Sequence, residues 1–398
     1  MPLDPYFAER LRVHRRHLFD KARGAARQRL VSLWPFGRSA APAIPAAGPA
    51  TDAAPRVENR ASDAEAPAVN RPPGAGTKAV RPDSQIHQAT LGPRAEARAK
   101  KRKAAVAWDR KELKTVGTRG PDIPITEHRV TVDGFPDVRV RIYRPPASDG
   151  ARPPVCLALF GGAFRIGGID YPTTDAGYRR RAADSGVAIA AVDYALAPEH
   201  QYPTQVEQAY AALEWLFGQA SELGLDGERI GILGTSAGGN LAAALTLVNR
   251  DRGRFPVRLQ ILEVPVTDLT GRHVDLGVTR SLGIPNFIAR RELRSVARTY
   301  LPRTALAREP YASPLLAPSL AGLPPAYVFT AEYDPLRSDG AAYAAALREA
   351  GVEASAVQYL GVTHDTPIFT GVLPAARRWH DDIVSALRRL HDGPGAGE

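Results

Sequence analysis

The chain of 398 residues is predicted to form an α/β fold, with a doubly wound and mostly parallel sheet flanked by helices. Three observations predict it. From about residue 126, short apolar runs alternate with helical patterns, the runs are apolar at nearly every position, and one run ends in a tight Gly-rich turn before an Ala/Leu-rich helix. Near-continuous apolar runs are typical of parallel strands covered on both faces, and their alternation with helices indicates repeated βα units.

The first predicted strand differs from those that follow it. Val138, Val140 and Ile142 alternate with arginines, which predicts a half-buried antiparallel strand at an edge of the sheet. Parallel strands are predicted at residues 155–160, 187–192, 230–233, 259–264, 327–330 and 354–360. Helical patterns lie between and after them, at about 176–185, 205–223, 237–250, 339–350 and 375–391.

The first 118 residues differ in charge from the rest. They hold 23 Lys and Arg against 11 Asp and Glu, whereas the remainder holds 29 against 31, so the net charge of +10 belongs to the N-terminal segment. Binding of nucleic acid or of a membrane surface is therefore expected only as an accessory property of that segment. The basic segment is a candidate contact site for an acidic partner, and the protein is not expected to require nucleic acid.

The same 118 residues divide into three predicted segments. Residues 1–38 are predicted to form a basic amphipathic helix over about 5–33, with an Asp-Pro pair as N-cap and first turn. One face of this helix carries Phe7, Leu11 and Leu18. Residues 39–93 contain no Phe, Tyr or Trp and are rich in Ala, Pro and Gly, which predicts a disordered insert or linker. Residues 94–118 are predicted to be a basic helical segment, whose run 100–103 is either a solvated face or an acidic-partner patch.

The cysteine count and the hydropathy indicate the cellular compartment of the protein. Cys156 is the single cysteine, which excludes an intramolecular disulfide framework and argues against a cysteine-based metal site. No stretch approaches the roughly 18 to 20 apolar residues that a membrane-spanning helix needs, and the Arg-rich opening lacks the apolar region of a secretory signal. These features predict a cytoplasmic protein without a transmembrane segment, and a homodimer is compatible with them.

A strand, a G-x-S-x-G turn and a helix follow each other around Ser236. Small residues at Gly234 and Gly238 suit a turn so tight that side chains there would collide, and such a turn exposes the serine oxygen above the helix N-terminus. A serine alone is a weak nucleophile, so an acid and a base should follow it along the chain. The pattern predicts Ser236 as a catalytic nucleophile.

Two later strands end in an acid and a histidine. Asp334 precedes a proline that disfavours helical backbone, which ends the strand there, and His364 follows the next strand. Considered alone, Asp334 is equally explained as part of an Asp-Pro turn with no catalytic role. His364 alone is more commonly explained as a histidine of a surface loop. Their joint order and position predict a Ser-Asp-His triad with His364 as base, so activity is expected to fall as the pH drops through about 6 to 7.

The remaining component of such a site is an oxyanion hole. The strand at 155–160 runs directly into Gly161 and Gly162, where glycines allow close approach of the backbone to a reacting carbonyl. Their N–H groups and that of Ala237, after the candidate nucleophile, are the predicted donors. The alternative is a plain Gly-Gly turn at the end of a strand.

These motifs resemble the hormone-sensitive-lipase-like family of α/β-hydrolase carboxylesterases, over about residues 119–391. The resemblance rests on Gly161-Gly162-Ala163 against the family's HGGG, on the segments 193–200 and 234–240, and on Asp334-Pro335-Leu336-Arg337. It implies an α/β-hydrolase catalytic domain over 119–398, with a helical cap made of N-terminal helices and an insertion at about 271–310.

The sequence departs from the family pattern at three positions. Phe160 stands where the family has the first His of HGGG, which puts the rigidity of the oxyanion loop in question. Thr235 replaces the commoner Asp before the nucleophile, a change that the family tolerates. Ala195 replaces an Arg and so removes one loop anchor.

Together these features predict a serine hydrolase that cleaves small carboxylic esters of short-to-medium acyl chains through an acyl-enzyme. No metal or organic cofactor is expected. An amidase or an acyltransferase using the same triad is the nearest alternative, because the sequence does not separate ester from amide or water from another acceptor. A non-catalytic ligand-binding homologue is the alternative from a different class, and it would be favoured by loss of the serine or histidine.

Overall fold

The computed structural model describes residues 1–12, 93–146 and 151–392. Helix α1 begins at residue 5 and is described as far as residue 12, and α2 spans Pro93–Thr115. The rest of the predicted N-terminal helix, including Leu18, and residues 39–92 of the predicted linker lie outside the described residues. No helix in the described ranges is long and apolar enough to cross a membrane.

Eight strands form one sheet. They are β1 Ile125–Val130, β2 Val138–Tyr143, β3 Pro154–Leu159, β4 Ala188–Asp193, β5 Asp226–Thr235, β6 Val257–Glu263, β7 Ala326–Tyr333 and β8 Ala354–Thr363. Their order is β1-β2-β4-β3-β5-β6-β7-β8. Strands β4, β3, β5, β6, β7 and β8 run parallel to one another, whereas β1 and β2 are antiparallel to their neighbours. The mostly parallel sheet predicted from the sequence is confirmed.

One strand prediction is wrong in its position. The strand around Val138 is antiparallel, as predicted, but it is not at an edge, because β1 pairs with its outer side. The pairing runs from Ile125 opposite Tyr143 to Val130 opposite Val138. β1 carries the exposed positions of this end of the sheet, with only Val130 buried. The alternation that indicated an edge reflects one half-buried face of β2, which carries Arg139 and Arg141, instead of an unpaired side.

Helices connect and follow the parallel strands. They are α3 Pro172–Ser185, α4 Thr204–Gln219, α5 Ala237–Asp251, α6 Leu276–Ser281, α7 Asn286–Tyr300, α8 Arg337–Glu349 and α9 Pro374–Arg388. The chain moves from β3 to β4 in one direction and then crosses back to β5, so right-handed crossovers put α3 on one face of the sheet and α4 on the other. In agreement, α3 packs against α9 and α4 packs against α5.

The core lies on both faces of the central strands. All six residues of β3 are buried, and α5 is buried along almost its whole length, because it crosses the middle of the sheet directly behind the Gly-rich turn. A helix that is hydrophobic on all sides is a core helix. The ends of β3, β5, β7 and β8 where the chain leaves the sheet lie at one edge, and the predicted site residues follow those ends.

The segment 271–310, which the resemblance assigns to a cap insertion, contains α6 and α7. The last residue of α7, Tyr300, stacks on Phe164 with ring centroids 3.7 Å apart. Arg165 donates hydrogen bonds to Glu292 and Ser295 of the same helix. These contacts attach α7 to the loop that follows β3.

Candidate active site

The turn between β5 and α5 has the geometry that its glycines predict. Ser236 lies alone between the strand and the helix, with φ 56° and ψ −115°. A Cβ atom at Gly234 would come within 2.1 Å of the carbonyl oxygen of Gly238, and one at Gly238 within 2.0 Å of the carbonyl oxygen of Leu159. Positive φ at a non-glycine residue costs about 1–3 kcal/mol and persists only where the surroundings enforce it. The turn is therefore a strained element that close packing holds in place.

The three predicted triad residues come together in one hydrogen-bonded line. The Ser236 Oγ atom lies 2.9 Å from Nε2 of His364, and Nδ1 of His364 lies 2.7 Å from Oδ2 of Asp334. Asp334 is 1% exposed, and its other oxygen accepts a hydrogen bond from the Leu336 N–H at 2.9 Å. These residues follow β5, β7 and β8, and β7 and β8 are neighbours in the sheet. The buried carboxylate is thus oriented by the backbone through Oδ1 and faces the imidazole through Oδ2.

The environment of His364 changes its proton affinity. Burial by itself lowers the pKa of the imidazole, but the negative charge of Asp334 and the hydrogen bond to it, with a smaller contribution from Asp365, raise the pKa to about 9. The side chain is 31% exposed, so Nε2 faces the cavity while Nδ1 faces the buried carboxylate. The carboxylate of Asp334 therefore strongly stabilises the protonated form of the imidazole.

Two other histidines follow Asp334 in the sequence, and their contacts separate them from Ser236. His380 lines the same cavity, but its Nε2 atom lies 2.7 Å from Asp184, and burial lowers its pKa. Nε2 of His391 bonds the carbonyl oxygen of Ser185. Of these three histidines of the described chain, only His364 combines a contact to Ser236 with a contact to a buried carboxylate.

The predicted oxyanion donors lie beside Ser236. A Cβ atom at Gly161 would be 3.1 Å from the carbonyl oxygen of Thr235 and 3.3 Å from the Cβ atom of Ser236. Gly162 has φ 139°, and its carbonyl oxygen accepts the N–H of Ile166, which closes the loop. Within the described part of the chain, no backbone hydrogen bond uses the N–H of Gly161, Gly162 or Ala237. Gly161 and Gly162 line the cavity, and Ala237 directly follows Ser236, which lines it as well.

The loop does not depend on a histidine at position 160. The Phe160 ring stacks on Tyr194 with centroids 4.1 Å apart and planes 6° from parallel, and the Tyr194 hydroxyl donates to the Phe160 carbonyl oxygen at 2.7 Å. The expected loss of an anchor at Ala195 is also offset. Its N–H donates to Gln208 at 2.7 Å, and its carbonyl oxygen accepts from Gln205 at 2.9 Å.

A cavity of about 420 Å³ opens over these residues. Its wall includes both the residues predicted from motifs and several that the sequence analysis missed. The latter include Trp108, Asp109, Thr173, Arg180, Arg181 and Trp379. They lie on α2, α3 and α9, where no motif marks them, because only the packing of these helices brings them to the cavity.

Fold and site together define an α/β-hydrolase with a Ser-His-Asp constellation at the carboxyl edge of its sheet, and comparison with known proteins agrees. The family model described as the alpha/beta hydrolase fold matches residues 156–368. The carboxylesterase NlhH of Mycobacterium tuberculosis is 36% identical over 71% of this chain and 88% of its own length. The ethyl acetate hydrolase of Pseudomonas putida is 34% identical over 63% of this chain and 78% of its own.

Solved structures give the same result. EstE1, a thermophilic carboxylesterase cloned from a metagenomic library, is 34% identical with a TM-score of 0.67, covering 74% of this chain and 98% of its own. The Pyrobaculum calidifontis esterase is 35% identical with a TM-score of 0.67, over 74% and 94%. The chain belongs to the hormone-sensitive-lipase-like family of α/β-hydrolase carboxylesterases, and it is an enzyme of the carboxylic-ester hydrolase class.

Proposed function

We propose that this protein hydrolyses small carboxylic esters of short-to-medium acyl chains through an acyl-enzyme on Ser236. The single observation that carries the proposal is the hydrogen-bonded line from Ser236 through His364 to the buried Asp334, which opens into a cavity of about 420 Å³. The N–H groups of Gly161 and Gly162, next to the serine, support the same chemistry.

Acylation begins with attack of the Ser236 Oγ atom on the ester carbonyl carbon, while neutral His364 takes the serine proton at Nε2. Asp334 accepts the Nδ1–H hydrogen bond throughout, so it fixes the imidazole tautomer and stabilises the imidazolium as it forms. His364 then gives the proton to the leaving alcohol as the carbonyl–oxygen bond breaks. In deacylation, His364 activates water by the same route, and the acid and free Ser236 are released.

The tetrahedral oxygen carries negative charge in both steps. The N–H groups of Gly161, Gly162 and Ala237 are its proposed donors, because they are unused by other backbone groups and adjoin the nucleophile. Donors that are already oriented need no reorganisation as the charge develops, and the loss of one such donor typically costs about 10²–10³ in turnover. The N-terminus of α5 adds the positive end of its dipole at the same place.

The size of the cavity supports a small substrate. Its volume lies toward the lower part of the range of about 300–1,000 Å³ that is usual for small-molecule sites. The relative from Pseudomonas putida is named ethyl acetate hydrolase, and ethyl acetate is an ester of a short acid. An amidase or acyltransferase would use the same triad, whereas a purely ligand-binding role leaves the aligned serine and imidazole unexplained.

Replacement of the nucleophile tests the proposed function. We expect Ser236→Ala to fold normally and to lose about 10⁴- to 10⁶-fold in ester turnover, since the triad acts as a unit. A fluorophosphonate probe should label the parent enzyme on the peptide that contains Ser236 and leave the variant unlabelled. Retention of more than a few per cent of the rate by a clean preparation of the variant would refute the proposal.

The acyl-chain range is tested with nitrophenyl esters from acetyl to palmitoyl. We expect kcat/KM to be highest among the short-to-medium chains, because a cavity of about 420 Å³ does not enclose a long chain together with the alcohol. Matched nitroanilides measure the amidase alternative, and added alcohol measures acyl transfer. Rates that peak at palmitoyl and rise at a lipid interface would contradict the proposed range.

A further inference from the structure

Glu263, the last residue of β6, is a carboxylate that the proposed mechanism does not use. It is 0% exposed, and it pairs in register with Thr235, the residue immediately before the candidate nucleophile. A charged group in the interior requires partners, because an unpaired buried charge is strongly unfavourable. The partners of Glu263 therefore indicate what the residue does.

The carboxylate of Glu263 accepts three hydrogen bonds. Oε1 accepts from the Thr235 hydroxyl at 3.0 Å, and Oε2 accepts from Arg181 Nη2 at 2.8 Å and from Trp379 Nε1 at 2.9 Å. In addition, its backbone carbonyl accepts the Ser236 N–H at 2.8 Å. Glu263 thus holds two consecutive residues of the turn through two different groups, and it connects them to α3 and α9.

This network lies beside the strained part of the site. Ser236 is held at φ 56°, a conformation that persists only where its neighbours enforce it. Thr235, Arg181 and Trp379 all line the same cavity as Ser236, so the network forms the wall next to the nucleophile. A small displacement of Ser236 would lengthen its 2.9 Å contact to His364.

We infer that Glu263 is a positioning residue, which acts through the Thr235 hydroxyl to keep the Ser236 Oγ atom aligned with His364. The inference rests on the proposed function, in which Ser236 is the nucleophile. Glu263 itself touches neither substrate nor reacting atoms. The competing explanation is a buried ion pair that only stabilises the fold by joining β6 to α3 and α9.

The Thr235 hydroxyl separates these two explanations. Thr235→Val removes the link to the turn but leaves Arg181 and Trp379 bonded to Glu263, so a purely structural pair would be largely unaffected. Thr330→Val is the matched control. Thr330 is a buried strand threonine on β7, whose hydroxyl donates to the Val357 carbonyl oxygen at 3.3 Å, and it does not line the cavity.

The measurements are kcat and KM on nitrophenyl acetate, the second-order rate of fluorophosphonate labelling, and the melting temperature, with all assays made well below the melting midpoint of each variant. We expect Thr235→Val to lower kcat and the labelling rate together by about tenfold with KM within about twofold, as for a misplaced reacting group. Thr235→Ser, which keeps the hydroxyl, should restore both rates. Thr330→Val should lower the melting temperature by an amount similar to that caused by Thr235→Val, and it should leave kcat unchanged.

A charge exchange tests the carboxylate itself. Thr235→Asp replaces the donor by a second carboxylate facing Glu263, so we expect a larger loss than for valine, about 100-fold in kcat. Adding Glu263→Gln supplies an amide donor and returns the pair to one charge, so the double variant should recover at least about tenfold. Wild-type rates in Thr235→Val, or strictly additive effects in the double variant, would overturn the positioning role. If one of these results is obtained while Ser236→Ala is inactive in the same series, only this inference fails. If Ser236→Ala is active, the proposed function fails.

Discussion

The two sides of the Ser236–His364 contact are held in different ways. Ser236 lies in a turn whose shape follows from residues two positions away, since a side chain at Gly234 or Gly238 would collide with the neighbouring backbone. His364 lies on a loop after β8, the outermost strand at its end of the sheet. The end of β8 that leads into this loop is held by the beginning of the chain, because the Asp4 N–H donates to the Gly361 carbonyl oxygen at 2.7 Å.

Further contacts extend this N-terminal attachment. Phe7 is 4% exposed, and its ring meets Phe369 edge to face at 5.1 Å, five residues after His364. The terminal amino group of Met1 and the Gly361 N–H share the carboxylate of Glu332. The nucleophile is therefore held by the packing of the central strands around its turn, whereas the segment that carries the base also depends on contacts with the first seven residues of the chain. We expect the histidine side of the site to be the easier one to disturb without unfolding the enzyme.

The largest effect on the histidine side is expected from Asp334→Asn. The amide keeps the shape of the carboxylate but removes its charge and permits the wrong imidazole tautomer, which typically lowers kcat by about 10⁴. Circular dichroism and melting temperature show whether the fold is retained. Activity within about tenfold of the parent would show that His364 does not rely on its buried partner.

The pH dependence of kcat/KM also tests how Asp334 acts on His364. Because Asp334 raises the pKa of His364 to about 9, and the base must be neutral, kcat/KM should fall as the pH decreases below about 9. This is higher than the limb at 6 to 7 expected for an unperturbed imidazole. The raised pKa also contributes stability that is complete below about 6.5 and is lost as the pH rises through about 9. A kcat/KM that is flat from pH 9 to pH 6 would contradict the assigned environment of His364.

A smaller effect is expected from Phe7→Ala. Removal of the ring should release the start of the chain from the loop of His364, so kcat/KM should fall by about tenfold through misplacement of the base. Phe217→Ala, which removes a ring stacked 4.9 Å from Phe255 and away from the cavity, is the matched control. Equal losses of kcat/KM in the two variants would show that the N-terminal contacts have no special role at the site.

Much of this architecture could be predicted from the sequence because its signals are local. An apolar run has to be covered on both faces, a G-x-S-x-G turn between strand and helix has few possible shapes, and Asp334 is followed by a proline that ends its strand. The edge position predicted for the strand around Val138 was wrong for the same reason. Alternation reports which faces of a strand are covered, and it carries no information about which strands lie beside it.

The sequence by itself determined the α/β class, because apolar runs alternate with helical patterns, and the tight turn at Ser236, because Gly234 and Gly238 restrict its shape. The chain order of serine, acid and histidine is read from it directly. Tertiary structure alone decided which buried carboxylate meets Thr235, that Tyr194 supports the loop at Phe160, and that Phe7 packs against Phe369. These contacts join residues far apart in the chain. Their partners are selected by how helices and strands pack, and side chains such as Glu263 and Trp379 have no local pattern that indicates a neighbour.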